Sequence, residues 1–259
     1  MSDCLPTWFI SHGAPVLALD ADDPTHRFLR ELGAAIGKPK AVLVISAHWE
    51  AATPQVSAAV QPETIHDFFG FPQPLYRLAY RCPGAPLLAA RVAGLLGDGG
   101  IKADIDPKRG LDHGAWIPLM LMYPDADVPV TQLSVQTASG SEHHAALGRA
   151  LRPLRDEGVL ILGSGGFIHN LSEVDLRSKS DELPEWAAQF RGWICDAIEQ
   201  GRHEDLLNYR SRAPHAVRNH PSEEHFLPLF VAAAAADSGK RVHADVAYRS
   251  LVMDAFRFD

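Results

Sequence analysis

Seven of the chain's thirteen histidines sit in six short strings, most of them at the ends of apolar runs. The strings are FISHGAP, VISAHW, TIHDFFGFP, LDHGAW, GFIHNL and HPSEEHFLPL, and they carry His12, His48, His66, His113 and His169, with His220 and His225 together in the last. Imidazole is the commonest metal-ligating side chain and titrates near neutrality. Several imidazoles delivered from different strand ends to one crevice would make a metal site with its own acid–base group.

Each histidine has its own reading. His12 directly follows the apolar run Trp8-Phe9-Ile10 at a Gly-Ala-Pro turn, and His48 closes the run Ala41–Ile45; both read as metal ligands by their place at strand exits. His169 follows the glycine-rich turn Gly163–Gly166, where backbone approaches closely, and reads as the acid–base group. His113 stands at the start of a helix that Asp112 is placed to cap, which suits a neutral imidazole touching substrate or supporting the metal ligands. His66 lies in an irregular stretch with Phe68, Phe69 and Phe71, an aromatic binding loop in which it contacts substrate. The segment from Pro214 to His225 adds His215 and His220 as pocket residues. Ser222 reads as a helix cap with Glu223 and Glu224 in the first turn, and Pro228 as either a kink or the true helix start. The third metal ligand is His225 or one of these acids, because non-haem iron is commonly held by two His and one carboxylate. His143 and His144 are placed on an exposed helix face, and His26, His203 and His243 are taken as surface or structural.

The elements that must position these residues alternate. Thr7–Ser11, Ala41–Ser46, Val130–Val135, Val159–Gly163 and Arg241–Val246 read as strands. Asp23-Pro24 opens a helix to about Ile36, and Pro86–Leu96, Gly114–Met122, Glu142–Arg155 and Pro184–Gln200 read as further helices. The pattern predicts an α/β fold: a single domain over residues 1–259, with a central mixed, largely parallel sheet covered by helices on both faces. The active site is expected at the C-terminal ends of the strands.

Composition narrows the partners. The net charge of −8 and the lack of any basic tract disfavour nucleic acid and anionic membrane. No signal-like leader and no spanning-length apolar run is visible, and Cys4, Cys82 and Cys195 form neither a disulfide framework nor a CxxC knuckle. A cytoplasmic protein is expected.

Taken in order, the strings SHGAP, ISAHWE, TIHDFFGFP, LDHGAWIPL, YPDADVPVTQLSV, GSGGFIHNL, HPSEEHFLPL and SLVMDAFRF resemble the class III extradiol ring-cleaving dioxygenases, in their bacterial and plant DOPA-dioxygenase branch. The resemblance runs from Ser11 to Phe258. It implies a mononuclear non-haem Fe(II) site held by His12, His48 and His225, with His169 as acid–base catalyst and His113 beside it. It implies a catechol and O2 as substrates and a semialdehyde product, with His66, His215 and His220 toward the substrate. The broader class places a glutamate at the third ligand position, and Glu224 precedes His225 here. Zinc also enters the site in this branch. Arg109 and Arg218 are the candidates for a carboxylate-bearing substrate. Monomer and homodimer both fit the sequence. Two rival readings are a zinc hydrolase with Glu224 as base, which the missing HExxH motif disfavours, and a binding protein on the same scaffold, which would have lost its ligands.

Overall fold

A computed structural model describes residues 4–175 and 182–259. Its strands are β1 (Thr7–Ser11), β2 (Ala41–Glu50), β3 (Gln55–Ser57), β4 (Asp104–Asp106), β5 (Val130–Val135), β6 (Val159–Gly165), β7 (Gly239–His243), β8 (Val246–Ala247), β9 (Leu251–Val252) and β10 (Ala255–Phe258). The α-helices are α1 (Pro24–Ile36), α2 (Pro86–Asp98), α3 (His113–Met122), α4 (Gly140–Leu151), α5 (Glu185–Glu199), α6 (His203–Leu207), α7 (Tyr209–Arg212), α8 (Ala216–Asn219) and α9 (Leu227–Ala234).

Eight strands form one sheet in the order β4-β3-β5-β2-β6-β1-β10-β7, while β8 and β9 pair as a separate hairpin. The central strands β5, β2, β6 and β1 are parallel; β10 pairs antiparallel with β1, and β3 antiparallel with β5. The sheet is therefore mixed and largely parallel, as the alternating pattern predicts. Side chains of these strands alternate between two cores, the period-2 signature of a sheet covered on both sides. Val42, Val44, Leu160 and Leu162 pack with α1 and α3, whereas Leu43, Ile45, Val159 and Ile161 pack with α2, α4 and α9. A third cluster joins Phe9 and Phe256 to α5 and α9. No helix among the described residues is long and apolar enough to cross a membrane.

Helix α1 starts as its cap predicts: the Asp23 side chain accepts from the backbone N–H of Thr25 and His26, with Pro24 in the first turn. Helix α3 is buried at every position but Met120, so it is apolar all round rather than striped.

Three local expectations are corrected. Strand β2 continues past Ser46 to Glu50, so His48 lies inside it. The pairing with β5 slips there, from Ile45 opposite Leu133 to Glu50 opposite Val135, and this bulge carries His48. The strand expected through Arg241–Val246 breaks after His243, and the chain re-enters the hairpin β8–β9. His144 is fully buried: its Nδ1 meets Gly140 O at 2.7 Å, and its Nε2 accepts from the Gln136 N–H.

Burial pushes His144 down to about 4 and His220, whose Nε2 meets Phe167 O at 2.9 Å, down to about 3. Both rings are neutral in the fold but take a proton near pH 6.5 once unfolded. A histidine whose folded pKa is depressed destabilises the fold as pH falls from the unfolded value toward the folded one. Near pH 5 this amounts to about 2 kcal/mol per ring, or a Tm lower by on the order of 5–10 °C. Thermal unfolding of the metal-free protein near pH 7.5 and near pH 5 reads this directly; equal melting temperatures would contradict it.

Candidate metal centre and cavity

Five pieces of chain meet at the C-terminal edge of the parallel strands. His12 follows β1 directly, and His48 comes from the β2 bulge. His113 is the first residue of α3, and His169 follows β6 after a short turn. His225 arrives from the turn before α9, whose helical span begins at Leu227 with Pro228 in its first turn, so Pro228 marks the start of that helix. Its carbonyl accepts from the Gly166 N–H at 2.9 Å. Gly165 permits that approach, since a Cβ there would lie 2.0 Å from the His225 oxygen.

The imidazoles of His12, His48 and His225 point their Nε2 atoms at one another. His12 and His48 are separated by 3.0 Å, and His48 and His225 by 3.3 Å. Hydrogen bonds at Nδ1 fix the protons of two of these rings, His12 and His225. The Ser164 hydroxyl donates to Gly114 O, so it accepts from Nδ1–H of His12 at 3.0 Å. Gly114 O is free for this because Pro118, four residues on, has no N–H to give it. His225 donates Nδ1–H to Glu224 Oε1 at 2.9 Å, and His48 Nδ1 lies 3.5 Å from Asp67 Oδ2. The hydrogen bonds of His12 and His225 thus leave two bare Nε2 lone pairs facing one small space, with Nε2 of His48 between them.

Burial, reinforced by the neighbouring histidines, holds His12 and His225 well below the ordinary imidazole value and His48 at about 4. Neutral imidazoles with fixed Nδ1–H groups are what a metal ion requires. Two nitrogens each about 2.1 Å from one ion stand about 3.0–3.4 Å apart at right-angled to tetrahedral geometry. The two spacings from His48 match, and all three nitrogens lie within 4.8 Å of one another, so these residues fit a single ion.

His169 stacks flat on His225, with ring centroids 3.5 Å apart and planes 9° apart. Its ring faces the cavity, and burial brings its pKa below the ordinary value despite the opposing charge of Glu224. His113 completes the group, with its ring centroid 4.0 Å from that of His48. The cavity holds about 200 Å³. That is below the roughly 300–1,000 Å³ of pockets for drug-sized ligands and suits one substituted ring. Phe68 and Phe71 form one wall, and Ile168 and Met253 line it as well. Gly13, at φ 63°, turns the chain past Met253.

Other expected residues lie elsewhere. Glu224 contacts the opposite nitrogen of the His225 ring rather than the shared space, and Glu223 accepts from the Tyr209 hydroxyl at 2.6 Å, so neither acid caps a helix. Asp112 does not cap α3; it is fully buried and accepts from Ser46 Oγ, Gln132 Nε2 and Arg109 Nη2, pinning the β2 bulge from below. Arg109 also stacks on Trp49, and Arg218 pairs with Glu173 and covers Trp186; neither lines the cavity. His220 is wedged among Phe190 and Phe226 in the core. His215 is outside, in a left-handed backbone conformation, bonded to Gln189. His66 bonds Leu78 O and packs on Phe68 and Trp116, one ring behind the cavity wall. Phe69 is 92% exposed. The residues that sequence reading passed over are Ser164 and Asp67, both acting on histidines far away in the chain; only the His66-Asp67 pairing hinted at the second.

Residues 6–256 match the family described as the catalytic LigB subunit of aromatic ring-opening dioxygenase. A Beta vulgaris protein named 4,5-DOPA dioxygenase extradiol is 48% identical over 247 residues, 94% of this chain and 91% of its own. An Escherichia coli K12 protein of the same name is 39% identical over 237 residues, 90% of this chain and 86% of its own. The crystal structure of an uncharacterized Escherichia coli K12 protein superposes with a TM-score of 0.82 at 30% identity, covering 98% of this chain and 100% of that one.

Proposed function

This chain belongs to the family of LigB-type catalytic subunits of aromatic ring-opening dioxygenases, and from that premise we propose that it opens a DOPA-like catechol with O2 by extradiol cleavage, at a non-haem iron held by His12, His48 and His225. The single observation that carries the site assignment is the convergence of three Nε2 atoms, two of them on rings whose Nδ1–H is held by a hydrogen bond. Ferrous iron bound there would supply a Lewis acid for the two adjacent hydroxyls and activate O2.

The protein's own groups do the rest. Phe68, Phe71, Ile168 and Met253 hold the ring and exclude water from it. His169, neutral at pH 7, takes a hydroxyl proton on a ring nitrogen and returns it to the oxygen that leaves as the ring opens. His113 keeps Nδ1–H on Asp67, so its Nε2 is the atom offered to substrate or oxygen. His66, behind Phe68, acts on substrate only through that wall.

The test is anaerobic loading with Fe(II), followed by a panel of catechols and oxygen. Catechol-dependent O2 uptake with a yellow semialdehyde product is expected, and none with zinc in place of iron. Verified iron without uptake on any catechol of the panel would reject the proposal.

A further inference from the structure

We infer that Asp67 is the positioning residue of this centre: one carboxylate oxygen bonds His113, the other faces Nδ1 of His48, and together they set both rings around the converging Nε2 atoms. The inference rests on the metal reading above and deepens it. Oδ1 accepts from His113 twice, from Nδ1–H at 3.0 Å and from the backbone N–H at 2.9 Å. Oδ2 stands 3.5 Å from Nδ1 of His48. One carboxylate thus faces a ligand and its neighbour, in rings 4.0 Å apart.

The backbone explains how a residue 46 positions away reaches this point. Thr64 forms a parallel bridge with Leu111; Ile65 N–H donates to Leu111 O, and Leu111 N–H to Glu63 O, each at 2.8 Å. Trp116 Nε1–H donates to Ile65 O at 2.9 Å and ties the same segment to α3. Asp67 is two residues beyond Ile65, and His113 two beyond Leu111, so the bridge sets them side by side. The N-terminus of α3 has no side-chain cap from its own Asp112. Asp67 supplies an acceptor there from outside the helix, next to the positive end of its dipole.

The side chain is 23% exposed, so water reaches it but does not replace its partners. Burial alone would raise its carboxyl; the hydrogen bonds from the His113 ring and backbone N–H outweigh this and lower it. A carboxylate on the distal nitrogen of a ligating histidine fixes the ring and raises its basicity, and removing such a partner costs about 10–100-fold in metal affinity. Here the three ligands have three different partners: a serine hydroxyl for His12, Glu224 for His225 and Asp67 for His48. Only Asp67 also holds a cavity histidine that is not a ligand.

The test uses the full chain and Co(II) as the probe, read by its visible absorption and by titration. Asp67→Asn keeps an acceptor for the His113 N–H but removes the charge; Asp67→Ser does the same with a shorter group. Both are expected to melt, metal-free, within a few degrees of wild type and to bind Co(II) about 10–100-fold more weakly with an altered spectrum. Asp67→Glu, which restores the charge, is expected to recover part of the loss. Co(II) affinity within twofold of wild type and an unchanged spectrum in a folded variant would overturn the inference and leave Asp67 as a helix cap alone. Failure of both the Asn and the Ser variant to fold, with an acceptor retained in each, would overturn it too. Wild type that binds no Co(II) would instead sink the metal reading itself.

Discussion

Replacing His169 with alanine is expected to leave metal affinity within about twofold of wild type and to lower kcat by about 10²–10⁴-fold, the usual worth of a positioned acid–base group. Its ring lies flat on His225 at 3.5 Å between centroids, and its nitrogens lie beside the three converging Nε2 atoms rather than among them. A group so placed can exchange protons with a bound hydroxyl without adding a fourth donor. Its depressed pKa keeps it unprotonated at neutral pH, which is the form needed to take the first proton. Metal content measured alongside single-turnover rates separates the two roles. Loss of iron together with activity would move His169 into the ligand set, where its proximity to Glu224 would have to be reconsidered.

The second large effect concerns the third ligand. His225→Ala is expected to abolish stoichiometric iron binding, whereas Glu224→Ala should retain it with affinity weakened about 10–100-fold. Nε2 of His225 faces His48 at 3.3 Å, while Glu224 Oε1 accepts from Nδ1 of that same ring. Loss of the carboxylate loosens the ring but leaves its lone pair available. Equilibrium dialysis with Fe(II) under nitrogen compares the two variants directly. The reverse ranking, with Glu224→Ala the more damaging, would make the carboxylate the ligand and return this chain to a two-His, one-Glu pattern.

Much of the frame was legible because it is local. Asp23-Pro24 caps α1 as its residue types demand, and the apolar runs around Val42, Val130 and Val159 form parallel strands. The strand-exit rule brought His12 and His169 to one edge from chain order alone. His48 reached that edge differently, through a bulge that the apolar run Ala41–Ile45 gives no sign of. His220 misled because its neighbourhood in sequence is the site while its ring is in the core, bonded to Phe167 O. Strand β10 also escaped, because an antiparallel strand of four residues between β1 and β7 carries little pattern of its own. The Nδ1 partners were beyond reach for a more basic reason. Ser164 is 152 residues from His12, and Asp67 is 46 from His113, so only the folded sheet makes them neighbours.

The proline in α3 has a meaning for anyone who would copy this centre elsewhere. Grafting three histidines onto the strand ends of another α/β protein would reproduce the donors but not their proton map. In that host an unbroken helix would supply its own amide to the carbonyl corresponding to Gly114, and a serine like Ser164 would be left to turn its hydrogen toward the imidazole. The ring would then carry its proton on the wrong nitrogen and present N–H where a lone pair is wanted. The lone pair that His12 presents is thus set partly by an amide hydrogen that Pro118 does not have.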